Sequence, residues 1–583
     1  MVPFRRAIAA TLVVMAAAAC SSKDAPTAPA PVAPNPVIGL QAVAKTTTSV
    51  TVTFTSAAGD ASYDIQRVEG ASGGTFATIA NVPAPAQAGT VSYVDNNLKV
   101  NTVYRYHVVT NKGSLQSAPT AAVAVTTLNF GNATADITTD ITASRTFFAD
   151  TVYNLKGFIH VANGATLTIQ PGTKVTGDFN TLGSCLMVLR GAKIQAVGTA
   201  DAPIVFTSSR PVGNRQPGDW GGLLLIGNAV SSRSGIVSIE GSGTDGSTVV
   251  GGKNYEVDYS GGTVQTDNSG TLSYVRVEFA GFAPSLNNEF NGFTFAAVGS
   301  GTRVSYTQTM APLDDSYEFF GGALDGDHMV AFETADDMFD MSEGFQGRLQ
   351  FLIGYNSVQL TPRTGAGFYA TDLEGIENDG CAGSGCDLGY NQAPFTIPIV
   401  ANYTLIGCGN VNCVGASGGY GMMIRRGSGG YYINGVLGRF PRAGISMRDL
   451  ETYARAGSAP VPDMATTDLA MKSLYFADVA GTLFQTGTGQ STFDAAGNNL
   501  TLGSGSTQSL FNALPNLGEV PAGIAAFDFS PASGSPIATG GLNALTGKLQ
   551  SRAGTFVTPT PYMGAIAPGG TKWWTGWTVY NRA

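Results

Sequence analysis

Apolar and polar residues alternate along this chain with a period of two, and no sustained three-to-four-residue period interrupts them. Between 38 and 128 the alternating runs are long: Ser49-Val50-Thr51-Val52-Thr53-Phe54-Thr55, Tyr63-Asp64-Ile65-Gln66-Arg67 and Tyr104-Arg105-Tyr106-His107-Val108. Such runs turn one face to a core and the other to water, and turn residues separate them. They predict a small antiparallel β-sandwich. From 129 onward the strands shorten and begin to repeat. Gly164-Ala165-Thr166-Leu167-Thr168-Ile169 returns as Gly191-Ala192-Lys193-Ile194-Gln195-Ala196, 27 residues later. Further short strands are predicted at 223–226, 274–279, 304–307, 329–332 and 349–352, most of them flanked by Gly, Asn or Asp. Short strands at coil-length intervals predict a right-handed parallel β-helix over 129–583. A β-propeller would need blades of about 40–50 residues. The expected class is therefore all-β.

After about 455 the coil signal weakens, and Ala525-Ala526-Phe527-Asp528-Phe529-Ser530-Pro531 reads as a last coil. The tail Trp573-Trp574-Thr575-Gly576-Trp577 holds three of the four tryptophans. It is expected to form an aromatic cap on the open end of the coil, which needs protection from edge pairing. A sugar-stacking platform is the alternative.

One polar signature occurs three times: Asn287-Asn288-Glu289-Phe290-Asn291, Asp314-Asp315-Ser316-Tyr317-Glu318 and Asp336-Asp337-Met338-Phe339-Asp340. The copies start 27 and 22 residues apart, close to one coil. On one edge of successive coils, about 4.8 Å apart, the Asp pairs would stack into an acidic ladder. Ten acids and no Lys or Arg lie between Asp314 and Glu343. Stacked carboxylates repel, so they must spread, hold protons or bind a cation. Three readings stay open: a structural seam in which Asx side chains cap turn amides, a Ca²⁺ site and a catalytic cluster. The metal reading uses Asp314, Asp315, Glu318, Asp336, Asp337 and Asp340, although no Asp-x-Asp-x-Asp-Gly loop is present. The catalytic reading uses Asp314, Asp315, Asp336 and Asp337 with His328. Arg425-Arg426 is the best basic candidate for a lyase. Phe290, Tyr317 and Phe339 would form either an aromatic row beside the acids or a stack inside the coil.

Composition narrows the field. The 583 residues include 76 glycines, roughly twice the usual share of about 7%, and a net charge of −9. No basic cluster offsets that charge, which argues against a nucleic-acid partner. Only three His residues occur, and no His-Glu-x-x-His zinc motif. No phosphate-binding glycine loop opens a helix.

The first residues form a processing signal. Arg5 and Arg6 precede an apolar run, Ala7 to Ala19, and Ala17-Ala18-Ala19-Cys20 resembles a bacterial lipobox. That resemblance implies cleavage after residue 19, lipidation of Cys20, and export to the bacterial outer membrane or cell surface. The lipid would be the only membrane contact. An ordinary signal peptide is the alternative. Residues 21–37, rich in Pro and Ala, form a tether reaching roughly 50 Å. Cysteine usage suits an oxidising compartment: Cys381 with Cys386 and Cys408 with Cys413 is the simplest disulfide pairing, with cross-pairing or a Zn site as alternatives. Cys185, in an apolar run, is expected to be buried.

Two further resemblances follow. Residues 98–108, Leu98-Lys99-Val100-Asn101-Thr102-Val103-Tyr104-Arg105-Tyr106-His107-Val108, resemble the tyrosine-corner segment of fibronectin type III domains. This implies a spacer or weak glycan binder over 38–128. The segments Ala202-Pro203-Ile204-Val205-Phe206-Thr207, Gly218-Asp219-Trp220-Gly221-Gly222 and Asp315-Ser316-Tyr317-Glu318-Phe319-Phe320-Gly321-Gly322, with the closing tryptophans, resemble bacterial surface β-helix lipoproteins of pectate-lyase-type architecture. The function expected is binding of a polysaccharide or another surface component along the β-helix by a monomer, with Ca²⁺ as the cofactor where one is used. A glycoside hydrolase or polysaccharide lyase on the acidic edge is the alternative, and a structural stalk or adhesin the third.

Overall fold

The structure is a computed structural model. It describes residues 32–57, 59–131, 133–241, 249–250, 253–254, 258–283, 288–367, 371–409, 413–415, 417–486 and 493–583. Cys20 and the expected processing signal lie outside these residues, as does Asn287 of the first polar signature. The chain divides into two compact units, Met1–Thr127 and Leu128–Ala583. No described helix is long and apolar enough to cross a membrane.

In the first unit, the strands Ile38–Thr46, Ser49–Thr55 and Thr90–Asp95 form a three-stranded antiparallel sheet. A second antiparallel sheet is built around Ser62–Glu69 and Val103–Lys112. Their inward positions share one core, with Val50, Val52, Phe54, Tyr63, Ile65, Tyr106 and Val108 buried. The Tyr104 hydroxyl accepts the Lys99 N–H at 2.9 Å and ties the preceding loop to its strand.

The second unit is a right-handed parallel β-helix with three faces. One face is a ten-stranded sheet running from Phe158–Val161 through Leu223–Ile226, Phe293–Ala296, Tyr317–Phe320, Phe339–Ser342 and Ile376–Asp379 to Thr482–Thr486. The other two faces start as separate strand columns. Arg145–Phe147, Thr166–Ile169 and Lys193–Val197 form one; Ala133–Ile137, Thr151–Leu155, Lys174–Gly177 and Ile204–Ser208 form the other. Both columns join in Gly270–Glu278, whose first half pairs with Lys193–Val197 and second half with Ile204–Ser208. From there each coil carries one long strand, and these with the two columns make a fifteen-stranded sheet.

The bend in each long strand is a single residue in the left-handed region: Tyr274, Tyr306, His328, Phe351, Asn402, Asn434 and Ser473, with φ between 51° and 62°. Such a conformation costs an L-residue about 1–2 kcal/mol. Contacts along the column offset it. The rings of Tyr274, Tyr306, His328 and Phe351 follow one another at 4.6, 4.4 and 5.0 Å. Asn402 donates to Thr560 Oγ1 at 2.7 Å.

The coil interior holds aromatic stacks one coil apart. Phe293, Tyr317 and Phe339 are fully buried and spaced at 5.2 and 5.1 Å. Phe295, Phe319 and Phe345 form a second stack at 5.3 and 4.7 Å.

The tryptophan tail corrects the expectation of an end cap. Trp577 packs edge-on against Tyr274 and Tyr306, and Trp573 against His328, midway along the fifteen-stranded sheet. Arg276 donates to the Trp577 carbonyl and Gln308 accepts the Val579 N–H, both at 2.9 Å. Trp574 and Trp577 are buried with Phe332, Tyr355, Phe527, Phe529 and Tyr580. The tail is a cover on the sheet's outer surface, with Trp574 and Trp577 buried and Trp573 half-buried. Cys381 bonds to Cys386 and Cys408 to Cys413, so neither pair is a Zn site. Cys185 is buried in the strand Cys185–Val188.

Candidate functional site

Each strand of the ten-stranded sheet is preceded by a turn, and four successive turns set the acidic site. In the strands the side chains alternate inward and outward. Tyr317, Phe339 and Ile376 fill the coil while Glu318, Asp340 and Glu377, the next residues along, face outward. The register pairs Glu318 with Asp340 and Asp340 with Glu377, which makes one column of three acids.

A second column stands in the turns. Asn291 Oδ1 accepts the Asp315 N–H at 3.1 Å, Asp315 Oδ1 accepts the Asp337 N–H at 2.8 Å, and Asp337 Oδ1 accepts the Glu374 N–H at 2.9 Å. Each side chain caps the backbone amide of the equivalent residue one coil on. This satisfies turn donors and fixes the carboxylates in line. A third row repeats the arrangement, with Asp336 Oδ1 accepting from Asp372 N at 2.9 Å and Asp372 Oδ1 from Ser417 N at 3.1 Å.

The columns line a cleft of about 430 Å³. Eleven acids face it: Glu240, Glu289, Asp314, Asp315, Glu318, Asp336, Asp337, Asp340, Asp372, Glu374 and Glu377. Among the described residues two basic side chains do, Arg425 and Arg426. Arg425 Nε meets Asp379 Oδ1 at 2.8 Å and its other nitrogens reach Glu377, while Arg426 also pairs with Asp379. Glu374 is buried; no backbone, amide or hydroxyl donor reaches its carboxylate, which lies within hydrogen-bond reach of the Asp337 carboxyl. Asp340 Oδ1 also lacks a donor.

Burial and mutual repulsion move these acids out of the usual carboxylate range. Burial, then Asp372, pushes Asp336 up to about 7. Burial and Asp379 push Glu377 to about 8, and burial with Glu289 and Glu343 does the same to Glu240. Asp314, Asp315, Glu318, Asp337, Asp340 and Glu374 are also raised, by burial first and their acidic neighbours second. Burial opposes the charge on Arg425, but Asp379 and Glu377 outweigh it and hold the guanidinium protonated. Without a cation, the cleft must therefore retain protons near neutral pH. Among the described residues, three groups each bring one oxygen per residue within 4.8 Å of the others: Asp314 with Asp315 and Asp336, Asp315 with Asp337 and Asp340, and Asp336 with Asp337 and Glu374. Oxygen-only donors at this density suit a hard divalent cation, Ca²⁺ above all.

A family model described as a pectate-lyase-like beta helix domain matches residues 95–510. The chain belongs to that family. No curated protein matches it. Among solved structures, a pectate lyase from Erwinia chrysanthemi in complex with tetragalacturonic acid aligns over 78% of this chain and 91% of its own. The identity is 10% and the TM-score 0.13, too low a superposition to bear on the chemistry here.

Within this pectate-lyase-like β-helix, the ten acids of 314–343 part company. Asp314, Asp315, Glu318, Asp336, Asp337 and Asp340 all line the cleft. The other four are engaged elsewhere. Asp325 accepts Arg348 Nε at 2.7 Å, and Asp327 pairs with Arg303 and, at 2.7 Å, with His328. Glu333 accepts from the Ser357 and Tyr580 hydroxyls, and Glu343 from Tyr259 and Arg233.

Two expectations need correction. His328 belongs to the ring column under Trp573 and is not among the residues lining the cleft, so it is no partner for the Asp pairs. The first copy of the polar signature is out of register by three residues. Phe293, not Phe290, stacks on Tyr317, so Phe290-Asn291-Gly292-Phe293-Thr294 is the coil equivalent of Asp314-Asp315-Ser316-Tyr317-Glu318. Phe290 packs edge-on against Phe158 instead, and Phe290, Tyr317 and Phe339 are all buried rather than displayed beside the acids.

The acids contributed by the next coil, Asp372, Glu374 and Glu377, escaped sequence reasoning. Glu374 comes 37 residues after Asp337, where the preceding steps of that column are 24 and 22. A long connection hides the period. The signal that survives is the apolar–acid pair opening each strand: Tyr317-Glu318, Phe339-Asp340, Ile376-Glu377.

Proposed function

We propose that this protein binds an extracellular polysaccharide on the flank of its β-helix, through Ca²⁺ held in the carboxylate cleft. The observation that carries the reading is the cleft itself: among the described residues, eleven acids against two arginines, with a buried Glu374 whose carboxylate meets only another carboxyl, that of Asp337. So negative a surface repels an acidic glycan, and its oxygens compete poorly for a neutral one. Divalent cations reverse that, because Ca²⁺ takes about 6–8 oxygen ligands and shares them between protein, sugar hydroxyls and uronate carboxylates. The rest of the chain fits a display role. In this reading Cys20 carries the lipid, the Pro-rich segment spaces the protein from the outer membrane, and the first unit is a fibronectin type III-like spacer, in keeping with the Tyr104–Lys99 contact.

Cleavage is less well supported than binding. Arg425, the best lyase base, is held protonated by Glu377 and Asp379, and His328 stands outside the cleft. The test is retention of the mature chain on immobilised uronate-containing and neutral polysaccharides, in Ca²⁺ and in chelator, with reducing-end release measured in parallel. Retention in Ca²⁺ that chelator and Asp315→Asn abolish, without release, is the expected result. Release that Asp315→Asn abolishes would make the site catalytic. Equal retention in chelator would remove the cation from the interaction.

A further inference from the structure

The three oxygen groups in the cleft are not independent. Asp315 belongs to the first and second, Asp336 to the first and third, and Asp337 to the second and third. Asp314, Asp340 and Glu374 each belong to one. The connectivity is a closed triangle: every pair of groups shares one aspartate, and every group has one acid of its own. A carboxylate has two oxygens and bridges two cations without strain.

The backbone already orients the three shared side chains. Asp315, Asp336 and Asp337 each accept one turn N–H through Oδ1, at 2.8, 2.9 and 2.9 Å. The acids at the corners differ. Glu374 is fully buried, with no backbone, amide or hydroxyl donor and only the Asp337 carboxyl within hydrogen-bond reach, and Asp340 Oδ1 lacks a donor too. A buried carboxylate met only by another acid is costly unless the pair shares a proton or coordinates a cation. Its position, at the corner of a triangle of other acids, is that of a terminal ligand.

The geometry points to a carboxylate-bridged cluster of three calcium ions, with Asp315, Asp336 and Asp337 as the bridges and Asp314, Asp340 and Glu374 as the terminal ligands. Charge supports the number. Three divalent ions match the six carboxylates of the triangle, and the outer acids, Glu318 and Glu377 among them, remain to balance Arg425 and to hold water or sugar oxygens around the ions. The cluster also has a structural consequence. Its ligands come from three successive turns of the helix, and Glu374 comes from the long connection after Arg348–Tyr355. Bound ions would staple that connection to the two turns below it.

This inference rests on the calcium reading above, and the stoichiometry separates the two. The experiment is equilibrium dialysis of the mature chain against Ca²⁺ at pH 7.5, with bound metal counted by mass spectrometry. About three ions per chain are expected. Asp337→Asn, which removes a bridge, should cost two of them; Glu374→Gln, which removes a terminal ligand, should cost one. The amide replacements keep side-chain shape and relieve repulsion. Near-ultraviolet circular dichroism establishes that each variant is folded. One or two ions in the parent, or equal losses in the two variants, would overturn the bridged triangle and leave a simpler calcium site. No bound ions would overturn the calcium reading itself.

Discussion

On the fifteen-stranded sheet, Tyr274, Tyr306, His328 and Phe351 stand one coil apart with ring distances of 4.6, 4.4 and 5.0 Å. On the edge of the ten-stranded sheet, Asn291, Asp315, Asp337 and Glu374 stand one coil apart in the same way, linked through backbone amides. A parallel β-helix multiplies whatever chemistry occupies a rung. Rings repeated at coil spacing add favourable contacts, and here the tryptophan tail covers them. Carboxylates repeated at the same spacing oppose each other, and their flank stays an open cleft. The contrast teaches that the acidic edge is maintained against its own electrostatics, which a structural seam alone would not require. Amide side chains, as at Asn291, cap the same turns without charge.

The comparison is broken most severely from the covered side. Trp574→Ala removes a fully buried indole from the tail itself and should cost about 3–5 kcal/mol, read from denaturant melts. Tyr317→Ala, within the interior stack, should cost a similar amount. Folded protein of either variant should still bind Ca²⁺; a loss of calcium without a loss of stability would put the rings at the site after all.

The open side should respond to cation and pH. Ca²⁺ at a hundredfold excess over its Kd should stabilise the fold by about 2.7 kcal/mol per independent site, and chelator should remove that gain. In chelator the stability should fall as pH rises from about 4 to 8. The acids' folded pKa values lie above their unfolded ones, with Asp336 at about 7 and Glu377 at about 8, so the folded state binds more protons across that window. A melting temperature that rises with pH in chelator would contradict the assignment.

Asp337→Asn sharpens the same point on a smaller scale. It should stabilise the metal-free protein by about 1 kcal/mol at pH 8, through relief of repulsion, and blunt its response to Ca²⁺. Smallest is the control on the other flank. Asp325→Asn weakens a partly exposed pair with Arg348, should cost at most about 1 kcal/mol, and should leave calcium binding unchanged.

Much of this architecture is legible in single residues of the chain. The alternation of Ser49–Thr55 marks a two-faced strand, and the return of Gly164-Ala165 as Gly191-Ala192 marks a coil, because both patterns arise from local backbone geometry. The ladder of Asp315 under Asp337 is legible too, since no insertion falls between them. The register error at Asn287-Asn288 shows the limit: polar signatures look alike in sequence, and the buried stack of Phe293 on Tyr317 decides which residues are equivalent. Glu374 was hidden for a related reason. A connection of variable length shifts the count without shifting the coil.

From sequence alone came the β-helical class, the two-unit organisation, the six acids of the second and third signatures and the close cysteine pairs. These depend on short-range periodicity and on residue type. Tertiary structure decided that Glu374 joins Asp336 and Asp337, that Asp325 and Asp327 turn to arginines on another face, and that the tryptophans lie along the sheet rather than across its end. Each of those outcomes is a contest between distant segments for the same surface, and coil stacking settles it by the burial of rings and the pairing of charges.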